Sequence, residues 1–212
     1  MNKNELILNY LYESNKIPVW IFEGKKLIFT SAPKNDLRCE EELYAFFGYF
    51  LKKSAAEPVV RIVAELELFV SFRFKGKNGK QLNFVAGPAF LFDPVQHGYG
   101  KRLSVDFIYT KESFRKRVID TPTVGLNSFC RFAQAAAALL LGRIADTEAL
   151  KKNIVSARRE DMMDTALGKA IFDIREDELV SLYTLESEKL LIAAIKDGDL
   201  SKIIDERGMV RY

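Results

Sequence analysis

The sequence is poor in the residues that commonly bind metals or carry catalysis. Its 212 residues include one histidine and two cysteines, Cys39 and Cys130. The cysteines lie far apart and without metal-ligand spacing, so we expect neither a metal site nor a disulfide framework. A reducing cytoplasm is the natural setting for such a chain. We predict that the protein uses no cofactor.

Long apolar runs and a large excess of one charge are also absent. The longest apolar candidate, 133–141, contains Gln134 and falls short of the roughly 20 residues that span a bilayer. At the N-terminus, Asn, Glu and Ser interrupt the apolar residues, so no signal-peptide core is present. The 32 basic and 29 acidic residues give a net charge of +3. We therefore expect a cytoplasmic protein that contacts no membrane, and these residues are not expected to bind DNA.

Motifs of common enzyme classes are missing. The chain contains no phosphate loop, no G-x-G-x-x-G, no H-E-x-x-H, no G-x-S-x-G and no C-x-x-C. His97 stands alone in a predicted loop, and Cys130 is expected on the apolar face of a helix, so neither has an orienting partner. Glu40–Glu42 are predicted in a helix first turn, where they complement the helix dipole. We predict that the protein is not an enzyme.

The first part of the chain mixes helix and strand signals. A helix is predicted over 3–14, with an apolar stripe at helical spacing formed by Leu6, Ile7, Tyr10 and Leu11. A hairpin follows, with strands at 17–22 and 27–29 around the turn at 23–26. The next helix is predicted over 36–53 with Asp36 as its N-cap. Its apolar face consists of Leu43, Phe46, Phe47, Phe50 and Leu51.

A second hairpin is predicted around Asn78-Gly79, a pair typical of tight hairpin turns. Its first strand, within 59–74, alternates so that Glu65, Glu67, Ser71 and Arg73 lie on a water-facing side. The returning strand, 80–92, is interrupted by Gly87-Pro88, and proline in a sheet belongs at a bulge, an edge or a strand end.

The remainder is predicted to be mostly helical. Residues 102–109 alternate weakly, as a strand or loop, and helices follow at 111–118, 126–142, 146–157, 160–172 and 177–197. We predict an α+β fold: a PAS/GAF-like antiparallel sheet with flanking helices on one side, followed by a helical C-terminal extension. The expected division is a sensor domain at 1–145 and a connector or dimerisation segment at 146–212.

Aromatic residues are abundant, with 16 Phe and 8 Tyr. Simple core packing explains them, and a small-molecule pocket between sheet and helix is the alternative. Trp20 is the first choice for a pocket wall, because a large indole is rarely buried in full. The predicted ligand-binding residues are Trp20, Phe22, Phe29, Phe47, Phe72 and Phe84.

Three segments together resemble the N-terminal regulatory region of AraC-type transcription regulators of the Firmicutes type. They are Ile17-Pro18-Val19-Trp20-Ile21-Phe22 before a hairpin, the Gly87-Pro88 step, and Tyr183-Thr184-Leu185-Glu186 before an apolar helix ending at Gly198-Asp199. Where related chains often carry histidines before the Tyr, this chain has Leu179-Val180-Ser181. Any role of those histidines does not transfer here.

The resemblance implies a domain that senses a small-molecule effector or a signalling partner, followed by connector helices. DNA would be contacted only through a helix-turn-helix domain, which we expect to be absent because the sequence reaches Tyr212 before any such pair. The broad apolar faces of the helices at 126–142 and 177–197 also predict a homodimer. Two other functions remain open: a small-molecule enzyme with an apolar pocket, and a ligand-free interaction scaffold.

Overall fold

The computed structural model describes residues 3–76, 78–94 and 103–157. Its elements in chain order are α1 (Lys3–Asn15), β1 (Val19–Glu23), β2 (Lys26–Thr30), a 3-10 turn (Lys34–Asp36), α2 (Glu40–Lys52), β3 (Val59–Val63), β4 (Glu67–Lys75), β5 (Gln81–Phe90), α3 (Val105–Ile108), α4 (Phe114–Asp120), α5 (Leu126–Leu141), α6 (Thr147–Lys152) and β6 (Val155–Ala157). The predicted helices at 160–172 and 177–197, His97 and the Tyr183 segment lie outside the described residues.

The strands form one six-stranded sheet in the order β2-β1-β5-β4-β3-β6. The first five strands pair antiparallel, whereas β6 pairs parallel with β3. The α+β class is confirmed, and the sheet is mixed rather than purely antiparallel. The helix predicted over 146–157 ends at Lys152, and the β-branched Val155 begins the short edge strand β6. The PAS/GAF-like assignment and the division at residue 145 stay predictions.

Helices cover both faces of the sheet. The expectation that they lie on one side only was wrong. One face, here the α2 face, presents Trp20, Phe22 and Phe69 to α2. The opposite α5 face presents Ile21, Phe72 and other residues to a core that includes residues of α1 and α5. The result is a three-layer arrangement with α1 and α5 as neighbours in one outer layer.

Burial from both sides overturns the predicted wet side of β4. Glu67 and Ser71 are fully buried. Of the predicted water-facing residues that lie within β4, only Arg73 is partly exposed. Alternation in the sequence identified the two sides of the strand correctly. It could not show that α2 packs over the polar side, because that packing joins segments far apart in the chain.

Three local predictions also differ from the structure. In α1, Leu8 and Leu11 point inward while Leu6 and Tyr10 are exposed, so the helix is rotated relative to the predicted stripe. Asp36 lies in the 3-10 turn, and α2 begins at Glu40 after extended Leu37. Residues 102–109 contain the short helix α3 rather than a strand. The predicted apolar face of α2 is confirmed, and α5 buries one apolar side.

The Gly87-Pro88 step lies at a bulge, as predicted from proline's missing N–H. Leu68 pairs with Ala89 and Val70 with Ala86, so Gly87 and Pro88 together oppose the single residue Phe69. The extra residue bends β5 beyond the point where its pairing with β1 ends at Ala86. This bulge brings β5 against the start of β1 and shapes the site described next.

None of the helices in the described ranges has the length and apolar character needed to cross a bilayer.

Candidate functional site

A packed aromatic layer lies between α2 and the sheet. The Phe47 ring lies 5.0 Å from the Trp20 ring and 5.4 Å from the Phe22 ring, centroid to centroid. Phe50 and Phe69 approach to 4.7 Å. These separations are those of aromatic rings in direct contact. The aromatic side chains themselves therefore fill the space around Phe47 in this conformation.

The six predicted ligand-binding residues fall on opposite faces of the sheet. Trp20, Phe22 and Phe47 lie in the α2 layer. Phe29, Phe72 and Phe84 belong to the core on the α5 face, where Phe72 and Phe84 stack at 4.6 Å. The sheet separates the two groups. Their ligand-binding role stays a prediction, and the structure brings only three of the six, Trp20, Phe22 and Phe47, together in the layer beneath α2.

Trp20 connects the Ile17–Phe22 segment of the first hairpin to the bulge at Gly87-Pro88. Contrary to the expectation of partial exposure, its side chain is fully buried. The indole Nε1–H donates to the Gly87 carbonyl at 2.9 Å, and the Gly87 N–H donates to the Pro18 carbonyl at 2.9 Å. A buried indole needs such an acceptor. The bulge supplies it by turning the Gly87 carbonyl out of the regular ladder.

A buried arginine, which the sequence analysis did not single out, lies at the C-terminal end of α2. Arg61 on β3 is 3% exposed. Its Nη1 donates to Ser71 Oγ at 2.7 Å, and its Nη2 donates to the Lys53 carbonyl at 2.8 Å. The guanidinium carbon also lies 5.8 Å from the Tyr49 ring centroid. The alternation of side chains along a strand assigns Arg61 to one side of β3. It cannot show which groups surround that side chain.

No carboxylate of the described residues contacts Arg61, so other groups stabilise its positive charge. Burial lowers the pKa of Arg61, and the Tyr49 hydroxyl opposes that change. The carbonyl of Lys53 lies at the negative end of the α2 dipole, which favours a cation there. Contact with the Tyr49 ring adds a cation–π attraction. Arg61 therefore fastens the end of α2 to the sheet.

A buried glutamate fastens the segment that leads into α3. Glu67 is fully buried at the start of β4, and its Oε2 accepts a hydrogen bond from Ser104 Oγ at 2.8 Å. Its Oε1 accepts from the Ser104 N–H. Phe107 of α3 stacks on Phe46 of α2 with ring centroids 6.0 Å apart. Glu67 and Arg61 thus hold the covering helices at two separate points of the α2 face.

A third polar cluster ties α4 to the 3-10 turn. Arg117 pairs with Asp36 at 2.8 Å and with Asp120 at 3.2 Å, and its guanidinium lies over the Tyr109 ring. Ser113 Oγ donates to the Asp36 carbonyl. These residues form a bracing network at the outer end of the helical layer, where Asp36 serves as an ion-pair partner rather than a helix cap.

Titration of Tyr109 provides a test of this network. Burial raises the pKa of Tyr109 above its ordinary value of 10.0, and the Arg117 charge opposes the shift. A raised folded-state pKa gives stability that is present below pH 10 and is lost as the pH rises above it. We expect urea stability of the wild type to fall more steeply above pH 10 than that of Tyr109→Phe. Equal slopes would show that Tyr109 ionises as freely in the folded protein as in the unfolded chain.

The cysteines and acidic residues of the described chain form no metal-binding group of three or more. Cys130 is buried in α5, and burial raises the pKa of its thiol, which disfavours the reactive thiolate. Cys39 is exposed at the start of α2. Its pKa is raised overall: a backbone hydrogen bond from Glu42 lowers it, but burial and the Glu42 and Glu41 carboxylates raise it more.

Together the fold and these contacts define an α+β domain whose six-stranded mixed sheet is covered on both faces. No family model, curated protein or solved structure matches the chain.

Proposed function

We propose that the chain is the effector-sensing and dimerising regulatory region of an AraC-type transcription regulator. One observation carries the proposal. The Ile17–Phe22 segment and the Gly87-Pro88 step, which are 65 or more residues apart in sequence, are joined by the Trp20–Gly87 and Gly87–Pro18 hydrogen bonds. Two segments that define the resemblance thus form one buried structural unit, which supports a shared fold with those regulators.

The α2 face is the favoured position for an effector. Trp20, Phe22 and Phe47 offer an apolar surface, and Arg61 and Ser71 supply polar groups farther along the same face, on β3 and β4. Because the rings are in contact, an effector would enter only in a conformation with α2 displaced from the sheet. Such an effector shifts the balance between two arrangements by its difference in affinity for them. The helices that follow would transmit this shift.

A thermal-shift screen of a broad metabolite panel tests the sensing role. An effector at 100 times its dissociation constant stabilises the protein by about 2.7 kcal/mol. For a chain of this size, that corresponds to a rise in melting temperature of roughly 5–10 °C. Phe47→Leu should remove most of this rise, while Phe72→Leu, a matched change on the α5 face, should leave it largely intact.

The filled aromatic layer also favours a second candidate function, a ligand-free interaction scaffold. The same screen separates the two. If no metabolite raises the melting temperature, sensing is withdrawn and the scaffold is preferred. If the rise survives in Phe47→Leu, the effector binds elsewhere than the α2 face.

A further inference from the structure

The outer surface of the α1 and α5 layer carries apolar side chains that face away from the sheet. Leu6 and Tyr10 on α1 are 51% and 68% exposed, and Leu139 on α5 is 46% exposed. Residues on the inner sides of the same helices, such as Leu8 and Phe129, belong to the core. We call this outer surface, formed by Leu6, Tyr10, Ala135 and Leu139, the α1–α5 face.

The two helices of this face differ in a complementary way. On α1 the exposed apolar side chains are large, whereas α5 exposes the small side chain of Ala135 between Arg131 and Leu139. The helices also differ in charge, because α5 contains no acidic residue and its one charged residue is Arg131. On α1, Glu13 is exposed and forms a surface ion pair with Lys16.

We propose that the α1–α5 face binds a second copy of the same chain, with α1 of each copy lying on α5 of the other. A two-fold axis makes each contact occur twice, so one large side chain on α1 meets one small residue on the partner's helix in both halves. The same arrangement places Glu13 near Arg131 across the interface. This pairing identifies the surface through which the dimer of the proposed function forms. Its role in regulation rests on that proposed function.

The dimensions of the face correspond to a small interface. Helices of 13 and 16 residues are roughly 20 and 24 Å long at 1.5 Å per residue. Two neighbouring helices about 10 Å wide therefore present a surface roughly 20 Å on each side. That is a flat area of about 400 Å², roughly half of the 800 Å² that each partner buries in a standard interface, so the dimer should be a weak one.

Sedimentation equilibrium of the full chain tests the surface. The doubly substituted Leu6→Glu/Tyr10→Glu chain should dissociate at least about 100-fold more readily than the wild type, because two buried apolar contacts are replaced by carboxylates that lose their hydration at the interface. Ile119→Glu is the matched control, since Ile119 is 81% exposed but lies on α4. It should dimerise like the wild type. Circular dichroism checks that each variant is folded.

The pairing of α1 with α5 is tested by charge reversal and by cross-linking. Arg131→Glu or Glu13→Arg alone should weaken the dimer roughly 2- to 5-fold, and the double variant should recover it. In a Cys39→Ser background, oxidation of a mixture of Tyr10→Cys and Ala135→Cys chains should give a disulfide-linked heterodimer.

Two results would overturn the inference. If the wild-type chain stays monomeric at high concentration, the inference is wrong. The thermal-shift test of effector sensing does not depend on that result. A wild-type dimer that is unchanged by Leu6→Glu/Tyr10→Glu, with no Tyr10→Cys to Ala135→Cys cross-link, assigns dimerisation to another surface and leaves the proposed function in place.

Discussion

Replacing Gly87 by alanine should destabilise the protein by about 3–5 kcal/mol, a large part of the stability of an ordinary domain. A Cβ atom at this position would lie 2.6 Å from the Leu68 carbonyl oxygen and 2.6 Å from Phe69 Cδ1. Both are fixed in the centre of the sheet. The backbone φ of +128° is also one that side chains with a Cβ rarely adopt. Any shift that relieves the clash displaces the acceptor of the Trp20 indole.

Urea unfolding followed by the fluorescence of the single tryptophan measures this cost directly, because Trp20 is hydrogen-bonded to Gly87 itself. Gly142→Ala is the matched control. Gly142 has a φ of +70°, but a Cβ there would meet nothing within 4 Å. It should cost only about 1 kcal/mol, the penalty of the backbone conformation alone. Similar losses for the two variants would mean that the bulge relaxes around an added methyl group.

Truncation of Phe47 to alanine is the second change with a large expected effect, about 3–5 kcal/mol. The ring is fully buried and contacts Trp20, Phe22, Phe46 and Phe50. Its removal deletes apolar contacts and leaves a cavity. The cavity cannot close fully, because Arg61 holds the C-terminal end of α2 in place. The free energy of unfolding from urea titration gives the measurement, and Ile119→Ala should change it by no more than about 0.5 kcal/mol.

This result also bears on function. A loss of several kcal/mol from Phe47→Ala agrees with a layer that is filled by its own side chains in the absence of an effector. A loss below about 1 kcal/mol contradicts tight packing around Phe47. Small apolar compounds that restore the stability of Phe47→Ala would identify the cavity as one that accepts ligands.

Local signals predicted the parts of this fold whose determinants are close in sequence. The turn residues between β1 and β2, the apolar face of α2 and the long alanine-rich α5 each depend on spacing within one segment. The missing N–H of Pro88 restricted it to a bulge, an edge or a strand end, and the structure has the bulge. Predictions failed at α3 and β6, which are short elements with few residues to establish a period.

The candidate site was predicted only in part. Trp20, Phe22 and Phe47 were expected together and lie together, but Phe72 and Phe84 lie across the sheet. Arg61 was not identified because its partners come from the end of α2 and from the neighbouring strand β4.

By itself, the sequence determined most of the longer helices and strands and the apolar sides of α2, β4 and α5, since these depend on residue type and spacing. Only the tertiary structure decided that both sides of the central strands are covered, that Arg61 and Glu67 become buried fasteners, and that Leu6 and Tyr10 face outward. Each of those outcomes depends on contacts between residues distant in the chain, and such contacts leave no periodic signal in any one segment.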